Sequence, residues 1–387
     1  MTIWIPYIGY TCTVGYLALL FAKAVLSLRY FYTHQEIEEK AAAVTVLQPI
    51  LGGDPYLETA LRTNLKTAPP NANFIWLMDA DDDIGNTVAE KVASEFPQQV
   101  KIVICPQCPP EANPKVWKLH TVLDSVETEF VAVLDDDTVL DAHHLNRAIA
   151  VLDECDLYTG LPHYLSGQTR WSSLIAHFVN NNSILTYLSL SAWIRPITIN
   201  GMFYVLNTET LRRYGGFEPI LNELCDDYAM AKLVRQHEGK IRQGVSSQTV
   251  QTSADSGRRY FQIMHRWFVF ANVLVHDQSI GIKFLLLIFL GVPPLLFVGS
   301  FSLLATGWFG VTQLVTFLVI RHYVIGSLHR RVFEERIKFS FLHSVISELL
   351  QIVHYFHAMF SPVIQWRRHR IRVHLDGTFE TQTRTEV

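Results

Sequence analysis

Residues 3 to 22, IWIPYIGYTCTVGYLALLFA, carry no charged side chain. At about 1.5 Å per residue such a run crosses the hydrocarbon core of a bilayer, where a helix satisfies its own backbone groups. No other feature of the chain restricts its fold as strongly. A cleaved leader would begin with basic residues and end at a small-residue site. Here Lys23, Arg29 and Lys40 follow the apolar run instead. The segment reads as a retained anchor whose C-terminal flank faces the cytoplasm. Residues 284 to 308 form a second apolar span, kinked at Pro293 and Pro294. Residues 309 to 327 form a third, whose Arg321 can snorkel toward one end. The next stretch, HRRVFEERIK, carries Arg330, Arg331, Arg336 and Lys338, and the tail QWRRHRIRV is also basic. Both flanks therefore read as cytoplasmic, which requires an even number of crossings between 283 and 366. Spans two and three supply it. Residues 341 to 364, broken by His343, Glu348, His354 and His357, then read as an interfacial or re-entrant segment.

The 387 residues exceed one ordinary core. A net charge of −4 lacks the basic footprint of a nucleic-acid-binding protein, so no nucleic-acid partner is expected. The cysteines, including Cys105 and Cys108 in CPQCPP, are too scattered for a disulfide framework or a complete zinc site. They read as structural thiols in a reducing compartment. The expected organisation is an anchor over 1–32, an α/β domain over 33–275, a C-terminal membrane region over 276–365 and a basic cytoplasmic tail over 366–387.

Within the α/β domain, VTVLQPI (44–50), FIWLM (74–78), VKIVI (100–104) and FVAVL (130–134) read as buried strands. Helical patterns over 54–65, 84–96 and 115–126 separate them. The alternation predicts a mostly parallel sheet with helices on both faces, and such sheets bind ligands at the carboxyl ends of their strands. Acids stand at those ends. Asp79 follows FIWLM, and Asp135, Asp136 and Asp137 follow FVAVL. Helix capping is the ordinary explanation for such residues. The sharper one is a D-x-D pair, Asp135 and Asp137, holding Mg²⁺ or Mn²⁺ against a diphosphate. Asp136 reads as a solvated neighbour. Asp79, Asp81, Asp83 and Glu90 match positions of a calcium loop, but Ile84 replaces the required glycine and a strand precedes the segment.

Three further stretches bear chemistry. ANPKVWKL puts Lys115 at a helix start suited to phosphate, or leaves it a surface lysine. NELCDDYAMAKLV puts Asp226 and Asp227 ahead of a helix, as caps or with one as a general base. RRYFQIMHRWFVFANVL, before the second span, is an interfacial belt or a clamp for a leaving diphosphate.

In order and spacing these pieces resemble the ceramide glucosyltransferases, inverting enzymes with a GT-A fold, along nearly the whole chain. The family's first acid falls on Asp79, its D-x-D-like acid on Asp135, its E/D-D pair on Asp226 and Asp227, and its R-W on Arg266 and Trp267. Its N-P-K turn is Asn113-Pro114-Lys115, its G-L-P is Gly160-Leu161-Pro162, and its T-G-M appears as Asn200-Gly201-Met202. One departure is Ile263 at the first position of Q/R-x-x-R-W, with Gln262 one residue earlier. The resemblance implies a UDP-sugar donor, with UDP-glucose expected and UDP-N-acetylglucosamine, UDP-glucuronate or UDP-galactose as alternatives. It also implies a divalent metal on Asp135 and Asp137, and binding residues at Asp79, Asn113, Lys115, Gly201 and Asp226. Asp227 would be the base, with Arg266 and Trp267 closing the site. The acceptor would be a membrane lipid, with ceramide expected and hopanoid or diacylglycerol as alternatives. A polysaccharide synthase of the same fold is the nearest rival, and a non-catalytic cation-binding membrane protein the distant one.

Overall fold

The computed structural model describes residues 4–35, 38–333, 339–366 and 369–384. The basic side chains expected at Arg336, Lys338, Arg367 and Arg368 lie outside the described residues. The chain forms two compact units. An α/β unit takes 34–167, 195–253 and 366–387, and a helical unit takes 1–33, 168–194 and 254–365. Residues 168–194, which the sequence pattern leaves inside the α/β domain, thus cluster with the helices.

Helix α1 (Trp4–Thr33) opens the helical unit. The α/β unit begins with β1 (Val44–Pro49), every residue of which is buried. It continues through α2 (Leu57–Thr67), β2 (Ala72–Asp79), α3 (Asp83–Ala93), β3 (Val100–Cys105), α4 (Pro114–Val122) and β4 (Phe130–Leu134). Strand β1 lies between β2 and β4, parallel to both, and β2 pairs parallel with β3. The inner strands β1 and β4 are buried along their whole length, while β3, at the edge of the sheet, is only partly covered. Beyond β4 the pattern changes. Short β5 (Thr138–Val139) is followed by α5 (Ala142–Val151) and β6 (Leu157–Tyr164). The chain then leaves for α6 (Arg170–Asn182) and α7 (Ser189–Ser191) of the helical unit. It returns with β7 (Phe203–Asn207), α8 (Thr208–Arg213), α9 (Asp226–Gln236) and β8 (Ile241–Val250). Strand β7 runs antiparallel to β4 and β6, while β6 and β8 pair parallel. The sheet order is β3-β2-β1-β4-β7-β6-β8-β5.

Apolar side chains cover both faces. Leu61, Val92 and Ile149 pack on one with Val46, Phe74 and Trp76. Val116, Leu119, Met230 and Val234 pack on the other with Leu47, Leu77 and Val133. One polar side chain runs through this interior. Gln48 of β1 is fully buried, accepts the Trp76 indole N–H at 2.9 Å and donates to the Asp135 carbonyl at 3.2 Å. It ties the centre of the sheet to the loop after β4.

The helical unit continues with α10 (Gly257–His276), α11 (Ile280–Leu286), α12 (Val292–Ser300), α13 (Trp308–Val332) and α14 (Phe341–Phe360). Stretches β9 (Val363–Trp366), β10 (His369–Val373) and β11 (Phe379–Arg384) close the chain, and β10 pairs antiparallel with β11. Among the described residues, three helical stretches are long and apolar enough to cross a membrane: Tyr7–Thr33, Ile280–Thr306 and Trp308–Val332. The unit buries several charged and polar side chains among its apolar ones and leaves large apolar side chains exposed. Lys23, Arg321, Glu348 and His354 are buried, whereas Val14, Phe284, Trp308 and Phe360 are exposed. That arrangement suits a hydrocarbon surrounding and not water.

Candidate active site

The loops after β4, before β7 and before α9 bring their charges together at the carboxyl edge of the parallel strands. At the centre is Lys115, in the first turn of α4. Asn113 caps that helix, accepting the N–H groups of Lys115 and Val116 at 2.9 and 3.4 Å, and Pro114 sets its first turn. The Asn113 amide also donates to the carbonyls of Glu223 and Leu224, so it straps the loop before α9 to α4. Fixed in this way, the Lys115 ammonium lies 2.7 Å from Asp135, 3.0 Å from Asp226 and 3.0 Å from the Gly201 carbonyl. Burial alone would lower its pKa, but the two carboxylates hold it well above the ordinary lysine value.

Gly201 makes this closeness possible. A Cβ there would stand 3.3 Å from Cβ of Asp227 and 3.6 Å from Nζ of Lys115. Asn200 beside it donates to the Gly160 carbonyl and to Gln243, anchoring the loop to β6 and β8. Asp226 and Asp227 form the first turn of α9, and Cys225 holds the cap position without a side-chain cap bond. One oxygen of Asp227 accepts the Tyr228 N–H at 2.7 Å and the Cys225 thiol at 3.0 Å. Burial first, and the neighbouring Asp226 second, push Asp227 up to about 6.

The acids after β4 have unequal surroundings. Asp135 faces Lys115. Asp136 accepts the Leu51 N–H at 2.7 Å, so it holds the loop after β1 and is not the solvated neighbour expected. Asp137 accepts the hydroxyls of Thr252 at 2.6 Å and Thr138 at 3.2 Å, and burial followed by the Asp135 charge raises it to about 6. The cap of the following helix is Asp141, which accepts the His144 N–H, so none of the three serves that purpose. After β2 the cap is Asp82, bonded to the N–H groups of Gly85 and Gly52. Asp79 pairs with Lys118 at 2.7 Å, and Lys118, almost fully buried, also donates to the Ile50 carbonyl.

Sequence reading missed Lys118, Tyr204, Thr252 and Gln48. Tyr204 of β7 is buried within reach of the charges on Lys115, Asp226, Asp135 and Asp227, and burial holds its phenol protonated. Only Gln48, a polar residue inside an apolar strand, left a signal. Arg266 and Trp267 lie on α10 of the helical unit, where Trp267 stacks on Phe178 with ring centroids 6.4 Å apart. Ile263 is buried in that unit and Gln262 is half-buried.

Among the described residues, no three His, Cys, Asp or Glu side chains gather as a metal site. Asp135 supplies a carboxylate beside Lys115, and Asp137, bonded to Thr138 and Thr252, supplies a second, a pair fit for an ion that completes its shell with water and phosphate oxygens. The edge thus offers cations, a small acid pair and a carboxylate poised to take a proton.

The fold is similar to that of the mannosyltransferase PcManGT from Pyrobaculum calidifontis in complex with GDP-Man and Mn²⁺. The TM-score is 0.51 at 15% identity, over 92% of this chain and 99% of that one. At that identity the likeness speaks to fold alone, and it agrees with the expected GT-A arrangement. A looser likeness, with a TM-score of 0.43 and 11% identity over 62% of this chain and 52% of the other, is to the crystal structure of GalNAc-T7 with UDP, GalNAc and Mn²⁺. The model of glycosyl transferase family 21 matches residues 10–379, and the chain belongs to that family.

Proposed function

We propose that this glycosyltransferase moves glucose, with inversion, from UDP-glucose to the primary hydroxyl of a membrane lipid of the ceramide type. The observation that carries the reading is the meeting of Lys115, Asp135, Asp226, Asp227 and Gly201 at one strand edge. Asp135 and Asp137 would hold Mg²⁺ or Mn²⁺, which when bound supplies Lewis-acid charge to the leaving diphosphate. Lys115, already the counter-charge of two carboxylates, adds a fixed cation for the same phosphates. Asp79, positioned by Lys118, takes the uridine end. Asn113 positions Lys115 and the loop before α9 and need not touch the donor.

Asp227 is the base. Its carboxylate accepts the acceptor's O–H proton while that oxygen bonds the anomeric carbon and the carbon–phosphate-oxygen bond breaks, releasing UDP. A single displacement turns an α-linked donor into a β-linked product. Arg266 and Trp267 take the role the family's R-W implies, a guanidinium and an indole that would steady the leaving diphosphate. The α/β unit works on the cytoplasmic side, where nucleotide sugars are at hand.

The test uses full-length protein in lipid, offered a panel of UDP-sugars and lipid alcohols, with products identified by mass spectrometry. A β-glucosylated sphingoid lipid is expected, and long glycan chains would instead make it a polymer synthase. Asp227→Asn should abolish turnover and leave UDP affinity nearly intact. Turnover at the wild-type rate would remove Asp227 as the base.

A further inference from the structure

The helical unit contains a polar cleft with no part in the transfer chemistry. Tyr16, Lys23, Asn181, Arg321, Glu348 and Gln351 are among its walls, and its volume is about 50 Å³. Such a space has room for one or two waters or a single head group, and none for an acyl chain.

The charges in it are not balanced. Arg321 and Glu348 neutralise each other. The guanidinium Nε lies 2.8 Å from one Glu348 oxygen, and Nη2 contacts the same oxygen. Tyr16 donates to that oxygen at 2.9 Å, and Ser344 accepts from Nη1 at 2.9 Å. This closed network leaves Lys23, which is 8% exposed. Its ammonium donates to the Phe289 carbonyl at 2.8 Å. That carbonyl is free for a reason written in the sequence. An α-helix would bond it to the N–H of residue 293 and a π-turn to that of residue 294, and both residues are prolines. Two prolines therefore release an oxygen that steadies an ammonium, but a neutral oxygen cancels no charge. Among the described residues lining the cleft, Lys23 and Arg321 oppose Glu348 alone. A net positive charge remains within stretches apolar enough to cross a membrane. An uncompensated charge there is costly unless something anionic joins it.

We propose that this cleft binds the phosphate of an anionic membrane phospholipid, with Lys23 as its charged partner and the acyl chains lying along the apolar outside of the helices. A phosphodiester supplies one negative charge, and its oxygens accept the remaining Lys23 N–H groups. A zwitterionic lipid brings its own cation and gains less. The site lies wholly in the helical unit and goes beyond the glycosyl-transfer reading.

The experiment is native mass spectrometry of full-length protein from nanodiscs, with neither donor nor acceptor present, so its failure and that of the transfer reading are distinguishable. Phosphatidylglycerol, phosphatidylcholine, diacylglycerol and inorganic phosphate are compared. Wild-type protein should retain phosphatidylglycerol in preference to the other two lipids, and inorganic phosphate should not displace it. Lys23→Gln should weaken retention at least about tenfold, and Lys23→Arg should stay within about threefold of wild type. Equal retention of phosphatidylcholine or diacylglycerol, displacement by free phosphate, or full retention by Lys23→Gln would each overturn the proposal. Should Lys23→Gln fail to fold, the wild-type lipid selectivity decides alone.

Discussion

Lys118 has only 1% of its side chain exposed, yet it ends in a full charge. Asp79 and the Ile50 carbonyl share that charge, so one ammonium fixes both the acid after β2 and the backbone after β1. Lys118→Met keeps much of the length and removes the cation. Calorimetry should show UDP affinity falling about tenfold, and stability should fall by about 1–3 kcal/mol. Unchanged affinity would separate Asp79 from the donor. Asp227 gives a second prediction. A base must be ionised, so kcat/KM should decline below a pH of about 6, the value to which burial and Asp226 push this carboxyl. The sign for stability is opposite. The folded state binds this proton more tightly than the unfolded chain, so the ligand-free protein loses stability as pH rises from about 4 through the folded value. A kcat/KM profile flat to pH 5 would reject Asp227 as the titrating base. Asp79 and the acids at 135–137 were legible because they follow apolar strands, and Asp226 and Asp227 because they stand ahead of a helix. Lys115 and Lys118 were less so: helical spacing alone does not separate a solvated lysine from one that turns inward to a carboxylate. Tyr204 was hidden because a tyrosine in an apolar strand looks like any core residue.

At the scale of elements, the first four strands coincide closely with their apolar runs, since the buried positions of β1, β2 and β4 are mostly apolar. The first of the expected helices, α2, begins three residues later than its pattern suggests, whereas α3 and α4 each begin one residue earlier. Asp54 binds the Tyr56 N–H and approaches Ser253, and Gly53 takes a positive φ of 108°, so the segment after β1 turns before α2 starts at Leu57. Asp82 likewise starts α3 and also holds the Gly52 N–H. Asp82→Ala should lower stability by about 1 kcal/mol or more, because a cap and a bond to the β1 loop are lost together. A thermal midpoint equal to wild type would show both bonds to be redundant. The order of strands past β4 was not legible, since nothing local distinguishes a strand that adds antiparallel from one that adds parallel. The segment over 341–364 was read as interfacial because of its histidines and Glu348. It contains one continuous helix, α14, with Glu348 and His354 buried and Leu342, Val353 and Phe360 exposed. Ser344, Ser347, Glu348 and His354 are buried against protein, whereas His357 is exposed.

For the whole molecule, the proposed cytoplasmic orientation has a direct check. A reporter fused after residue 374 should report cytoplasm, and an extracytoplasmic signal would reverse the proposed topology. The path of the chain carries a further consequence for biosynthesis. The α/β unit is not contiguous: β7 and β8 are made only after residues 168–194, which belong to the helices. When β6 leaves the ribosome, β4 still lacks the strand that completes its second edge, and the helices from 254 onward do not yet exist. Neither unit can therefore complete its core from one continuous stretch of chain. Cutting out 34–253 as a soluble catalytic fragment would carry 168–194 along without its own unit. The boundary between the two units is crossed repeatedly along this chain, so expression strategies that treat it as one cut site address the wrong object.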